Sequence, residues 1–179
     1  AEYARASVVL EYGSGGSTAL AASLPGLTCF SVESDRKWAR QMRAWLSAEH
    51  PGADVRIHYA NIGRTRKWGR PKGTRRRIVS PLYLRYPRSV WARRDFRAPD
   101  LILIDGRFRV ACFLTALMKV DRPTRLLWDD YAGRDRYRLA ERYAKPQEMV
   151  GRMAVFEVPP RRFAWSELWA LRNVLLDPE

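Results

Sequence analysis

The stretch from Ser7 to Thr18, SVVLEYGSGGST, constrains this chain more than any other. Val8, Val9 and Leu10 form the continuous apolar run of a strand buried on both faces. The run stops at Glu11 and passes into Gly13, Gly15 and Gly16, after which Thr18 to Leu24 favours a helix. Strand, glycine turn and helix start, in that order, gather backbone N–H groups and a positive helix end at one point. The three glycines also lack the Cβ atoms that would hold a ligand away from the main chain. Gly13, Ser14, Gly15, Gly16 and Ser17 are therefore expected to line a ligand site.

A second strand, Thr28 to Val32, ends at Glu33, and 33 − 13 places this acid 20 residues after the first glycine. An acid at that offset, at a strand tip, is placed to accept hydrogen bonds from ribose hydroxyls, with Ser34 beside it. The plain alternative is an acid favourable to the N-terminus of the following helix. Taken together, the turn and the acid favour a nucleoside-bearing ligand.

The rest of the chain repeats the strand-then-helix rhythm. Ser34 and Asp35 read as a cap for an amphipathic helix that carries Trp38, Met42, Trp45 and Leu46 and ends near Glu49; both tryptophans are expected in the core. Val55 to Ala60 reads as the third strand, with His58 a strand residue and not a base, and Asn61-Ile62-Gly63 as the turn after it. Pro99 to Gly106 carries the strongest strand signal and ends in Asp105. Phe108 to Met118 reads as a helix and Arg125 to Trp128 as a fifth strand, ending in Asp129-Asp130-Tyr131. A basic helix is expected at about 134–143, and Met153 to Val158 and Leu168 to Leu176 as two closing strands, although Leu168, Leu171 and Leu175 also share a helical spacing. This alternation argues for an α/β, Rossmann-like, doubly wound sheet. Ligands of such sheets sit outside the carboxyl ends of the strands, so Glu11, Glu33, Asp105, Asp129 and Asp130 are expected to converge on one crevice.

Charge is localised. Of the 33 Lys and Arg, 13 fall in residues 64–97 beside a single acid, Asp95, leaving 20 basic and 18 acidic residues elsewhere. This proline-interrupted segment reads as a basic loop inserted in one domain spanning 1–179. Its aromatics, Trp68, Tyr83, Tyr86 and Trp91, interleave with arginines, including Arg75, Arg76 and Arg77. The pairing suits stacking on bases and neutralising phosphates, capping a small anionic substrate, or a solvated charge run. Cys29 and Cys112 have no metal-ligand spacing and are expected as buried free thiols in a reducing, cytoplasmic compartment. No apolar run is long enough for a membrane span and no signal peptide is visible. A first residue other than Met, a few positions before the first strand, leads to the expectation of a trimmed start. Oligomeric state is not legible.

The glycine stretch resembles motif I of the class I S-adenosylmethionine-dependent methyltransferases, in which an acid leads a Gly-x-Gly-x-Gly turn: here Glu11, Gly13 and Gly15, with Ser17 in place of the third glycine. The resemblance continues through SVESD, NIG with Trp68-Gly69 and Pro71, LIDGRFRVA and WDDY, which are similar to a bacterial group of methyltransferase-like proteins. It implies a sheet of order 3-2-1-4-5-7-6 with only strand 7 antiparallel. It implies S-adenosylmethionine bound by Glu11, residues 13–17, Glu33, Ser34 and Asp105, with Asn61 and Ile62 at the adenine. Catechol O-methyltransferase-like enzymes hold Mg²⁺ with an Asp after strand four and an Asp-Asn pair after strand five; Asp105, Asp129 and Asp130 resemble that set, with Asp130 replacing the Asn. The alternative is that these acids pair with Arg107 or Arg109, or that one serves as a base without metal; three converging carboxylates without a cation should raise at least one pKa. Asp105 and Asp130 are the candidates for base, and Tyr131 for a positioning hydroxyl. The acceptor stays open between a small molecule or sugar methylated on oxygen, an RNA bound through the arginine-rich loop, and a non-catalytic protein that kept the fold.

Overall fold

The computed structural model describes residues 2–72 and 81–178. Strands β1 (Val8–Tyr12), β2 (Thr28–Glu33), β3 (Asp54–Tyr59), β4 (Leu101–Ile104), β5 (Thr124–Trp128), β6 (Glu148–Val150) and β7 (Met153–Val158) form one sheet of order β3-β2-β1-β4-β5-β7-β6. The β3-β2-β1-β4-β5 ladder is parallel, while β7 runs antiparallel to both of its neighbours. Helices α1 (Gly16–Ala22), α2 (Arg36–Glu49), α3 (Arg85–Arg88), α4 (Arg109–Lys119), α5 (Trp165–Ala170) and α6 (Arg172–Leu175) flank it, so the topology is that of the class I methyltransferases.

The continuous apolar runs are explained by burial on both faces. Along β1, Val8, Leu10 and Tyr12 enter one core cluster and Val9 the other, as the two-residue period of a strand demands. The first cluster joins β4, β5 and β7 to α4 through Phe113, Trp128 and Phe156; the second holds Cys29, Leu101 and Leu103. Asp35 caps α2 by accepting from the backbone N–H of Lys37 (2.8 Å) and Trp38 (3.1 Å). Both cysteines are buried free thiols. Among the described residues no helix is long and apolar enough to cross a membrane.

Three expectations are corrected. Leu168 to Leu176 is helical, covered by α5 and α6; the second closing strand is the short, exposed β6, joined to β7 by Gly151 at φ +61°. The basic loop is not uniformly exposed: within 81–97, Tyr83 and Tyr86 are buried, and Trp91 donates from Nε1 to the Tyr12 hydroxyl at 2.8 Å. Tyr83 and Tyr86 pack in the core on Phe108, Tyr86 also on Tyr12, with Trp91 partly buried beside them, and do not form a stacking surface, because apolar ring area is worth more inside than over water. The tryptophans of α2 are not core either: Ala39, Met42 and Leu46 carry its buried stripe, while Trp38 and Trp45 stay substantially exposed. Arg75, Arg76 and Arg77 lie outside the described residues.

Candidate functional site

Hydrogen bonds running one residue past each strand align the strand ends. Gly13 N–H donates to the Val32 carbonyl (2.9 Å), Asp105 N–H to the Tyr12 carbonyl (2.9 Å), Asp129 N–H to the Ile104 carbonyl (3.0 Å) and Ala60 N–H to the Glu33 carbonyl (2.8 Å). Above this edge lies a cavity of about 860 Å³. Its floor is the turn from Gly13 to Ser17 and the segment Asp105–Arg107; Glu33, Ser34 and Asp35 form one side, Trp38 and Gln41 of α2 another, and Lys67 to Gly69 overhang it. A smaller depression of about 570 Å³, around Pro25, His50 and Arg97, contains none of the strand-tip acids.

The floor is bare main chain by necessity. Gly13 has φ +109°, and a Cβ built there would lie 2.9 Å from the Cα and N of Gly106. Gly106 in turn rests on the Tyr86 hydroxyl and the Tyr12 backbone, with no room for a side chain. Two loops thus meet glycine to glycine. At Gly15 and Gly16 a Cβ would meet nothing within 4 Å, so the turn opens into the cavity and is not filled by protein. This cradle, together with an acid on its flank, fits a nucleoside-bearing ligand.

Glu33 faces the cavity while only 9% exposed. Its Oε1 accepts from the backbone N–H of Ser34 (2.6 Å) and Asp35 (2.7 Å). Burial pushes its carboxyl up, and those two N–H groups pull the other way. Ser34 donates from Oγ to the Gly69 carbonyl (3.2 Å), and Trp38 donates from Nε1 to the Ser14 carbonyl (2.8 Å), which ties α2 to the glycine turn.

Glu11 is placed differently from the rest of its motif. It is fully buried behind the turn, where Oε1 accepts from the Tyr3 hydroxyl (2.6 Å) and Oε2 from Thr18 Oγ1 (2.7 Å). Thr18 Oγ1 in turn accepts from Gly15 N–H (2.9 Å). Glu11 therefore holds the turn from below and does not line the cavity. Nor do Asn61 and Ile62: Asn61 is exposed, with Oδ1 accepting from Gly63 N–H (3.0 Å), and Ile62 is in the core.

The acids near β4 and β5 divide. Asp105 lines the cavity with its side chain 49% exposed, paired with Arg109 Nη2 at 3.1 Å. Arg109 also donates to the Gly106 carbonyl (3.0 Å) and to the Asp129 carbonyl. Burial, working against Arg109, together with the Asp129 and Asp130 carboxylates, pushes Asp105 up to about 6. Asp130, in the left-handed region at φ +55°, is gripped by Arg134 (3.0 Å) and Arg152. Tyr131 is buried, donating to Glu141 Oε1 (2.9 Å), and burial raises its hydroxyl well above the usual phenol. Neither Asp130 nor Tyr131 lines the cavity. The Asp105 and Asp130 carboxylates are spent on guanidinium groups, and among the described residues no cluster of three or more His, Cys, Asp or Glu is arranged to hold a metal. The residues do not fit Mg²⁺. His58 is a strand residue whose Nε2 lies 2.7 Å from Ser89 Oγ, and burial followed by Arg93 and Arg43 pushes it down to about 4.

Trp38, Gln41, Lys67, Tyr86 and Arg107 join the site without having been singled out as site residues in the sequence. Trp68-Gly69 and Arg107 carried a signal as part of the resemblance, and Tyr86 only as an aromatic of the basic segment.

No protein-family model and no curated protein matches the chain at the level of sequence. Solved structures do. A methyltransferase-like protein from Silicibacter pomeroyi DSS-3 is 43% identical with a TM-score of 0.90, covering 98% of this chain and 90% of that one. An O-methyltransferase from Bacillus cereus in complex with SAH (16% identity, TM-score 0.53, 85% and 74% covered) and a methyltransferase from Geobacter sulfurreducens (12% identity, TM-score 0.52, 87% and 72% covered) share the fold. With its strand order, its glycine floor and this identity over nearly its whole length, the chain belongs to the class I methyltransferase-like family.

Proposed function

We propose that the chain is an S-adenosylmethionine-dependent methyltransferase that methylates a hydroxyl oxygen of a small-molecule or sugar acceptor. The observation that carries this reading is the open cradle formed by Gly13, Gly15 and Gly16 with the Glu33 carboxylate on its flank. When bound, S-adenosylmethionine supplies an electrophilic methyl group on sulfur. Glu33 accepts hydrogen bonds from ribose hydroxyls, and its fixed Oε1 keeps the carboxylate oriented for them. Residues 13–17 admit the amino-acid end of the ligand to the main chain, and Trp38 and Ser34 wall the nucleoside.

Asp105 is the group placed to act on the acceptor. Its position on the floor, half exposed, lets it meet a hydroxyl, and a carboxyl near 6 is ionised at neutral pH yet more basic than an ordinary aspartate. Asp105 takes the proton that the oxygen loses as it gains the methyl. Arg109 fixes the carboxylate and holds the loop after β5 through the Asp129 carbonyl. Asp130 and Tyr131 support that loop from within.

The test is calorimetric titration with S-adenosylmethionine. Saturable binding to the wild type, and affinity at least about 30-fold weaker for Glu33→Ala, are expected; absence of binding by the wild type would overturn the reading.

A further inference from the structure

Residues 64–72 form a small hairpin beside the cavity. Arg66 N–H donates to the Arg70 carbonyl (2.6 Å), Lys72 N–H to the Arg64 carbonyl (2.7 Å), and Thr65 bridges Pro71. Arg64, Arg66, Lys67 and Lys72 are exposed on it, and the segment contains no carboxylate. At its tip Trp68 is 71% exposed in the left-handed region, at φ +64°. A bulky aromatic residue adopts that backbone only when its surroundings impose it. Here they do: Arg107 Nε donates to the Trp68 carbonyl (2.9 Å), Ser34 Oγ to the Gly69 carbonyl, and Gly69 is pressed against Ser34 and Glu33. The strain holds an indole out over the crevice, with Lys67 Nζ 5.5 Å from its ring centroid.

An exposed indole with the Lys67 ammonium beside it, on a hairpin that bears exposed cations and no carboxylate of its own, matches one ligand chemistry: a planar base joined to phosphate. We infer that this hairpin binds nucleotides, the base on Trp68 and the phosphate among the neighbouring cations, so that the acceptor is a nucleotide, free or within single-stranded RNA. Of the five aromatics in residues 64–97, Trp68 alone stands largely outside the core, Phe96 packing against it with Trp91. The acceptor assignment rests on the methyltransferase reading, whereas nucleotide binding is measurable without it.

The experiment is fluorescence anisotropy with an end-labelled single-stranded RNA decamer, over 50–200 mM salt, with UMP as competitor. Binding whose logarithmic salt slope is about −3 is expected for four cations. Trp68→Gly, which keeps the left-handed backbone and removes the ring, should weaken binding about tenfold, and Trp68→Phe should retain most of it. The double variant R66A/K67A should flatten the slope by about 1.5. Displacement by UMP identifies a free nucleotide as the ligand; failure of UMP to displace the decamer identifies the polymer, and both sustain the proposal. No binding of either at 50 mM salt overturns it. So does a Trp68→Gly variant that loses S-adenosylmethionine affinity while RNA affinity is unchanged, since Trp68 would then serve the cofactor. Nucleotide binding by a wild type that does not bind S-adenosylmethionine would leave the nucleotide site standing and sink the function proposed above together with the acceptor assignment that rests on it.

Discussion

The ends of β4 and β5 offer a comparison within one molecule. Each strand finishes in aspartate, the two tips are joined by the Asp129 N–H to Ile104 carbonyl bond, and arginines crowd both. Asp105 nevertheless faces the crevice, shares one guanidinium with the loops around it and has its carboxyl raised to about 6. Asp130 is gripped by two arginines and turned away into a left-handed corner. The sequence motif is the same kind of acid at the same kind of edge, but the arginines around each decide which one is left facing the crevice.

The floor sets the largest effect against which this contrast can be measured. Gly13→Val should abolish S-adenosylmethionine binding and lower stability by about 3 kcal/mol, read by calorimetry and by denaturant unfolding, because its Cβ has nowhere to go against Gly106. Asp105→Asn should lower kcat by about 10²–10⁴ while S-adenosylmethionine affinity stays within about threefold. The wild-type rate should climb as pH rises through about 6, where Asp105 ionises. Stability should move oppositely: the folded state holds this proton above the ordinary aspartate range, so stability falls between about pH 4 and 6 and is level above. Asp105→Asn should remove that slope. An Asp130→Ala variant that lost as much activity as Asp105→Asn would break the contrast; the expected result is a loss of about 1 kcal/mol of stability, with kcat within about threefold. Smallest of all, EDTA should leave the rate within about twofold of its starting value, measured in a discontinuous assay of methyl transfer.

What was legible in the sequence is what physics writes locally. The runs Val8–Leu10 and Leu101–Ile104 announce buried parallel strands, while the strand order, implied by the family resemblance and not by the runs, is the one observed. Gly13 and Glu33 lie at one crevice because both sit at tips of adjacent strands. The rise of one carboxyl among three was expected from their mutual repulsion, but burial is its larger cause at Asp105. Other features depend on partners far along the chain. The strand β6 is only Glu148-Met149-Val150, with too little pattern to outweigh the leucines of 168–176, and it exists because β7 pairs with it. Spacing put Trp38 on an apolar face, but its indole N–H has a partner at Ser14, 24 residues away, which draws it to the crevice. Glu11 sits in its motif as expected by position, yet Tyr3 and Thr18 consume both its oxygens. Tyr86 looks like part of a charged loop until Gly106 is seen resting on it.

The meeting of Gly13 and Gly106 bears on how this protein can change. A contact made of backbone alone offers no side chain to exchange, so acceptor preference has no handle there. Side chains that can be exchanged without disturbing the floor are the exposed ones of the overhanging hairpin and the first turn of α2. A library aimed at new acceptors should randomise positions 64–68 and leave the glycines untouched.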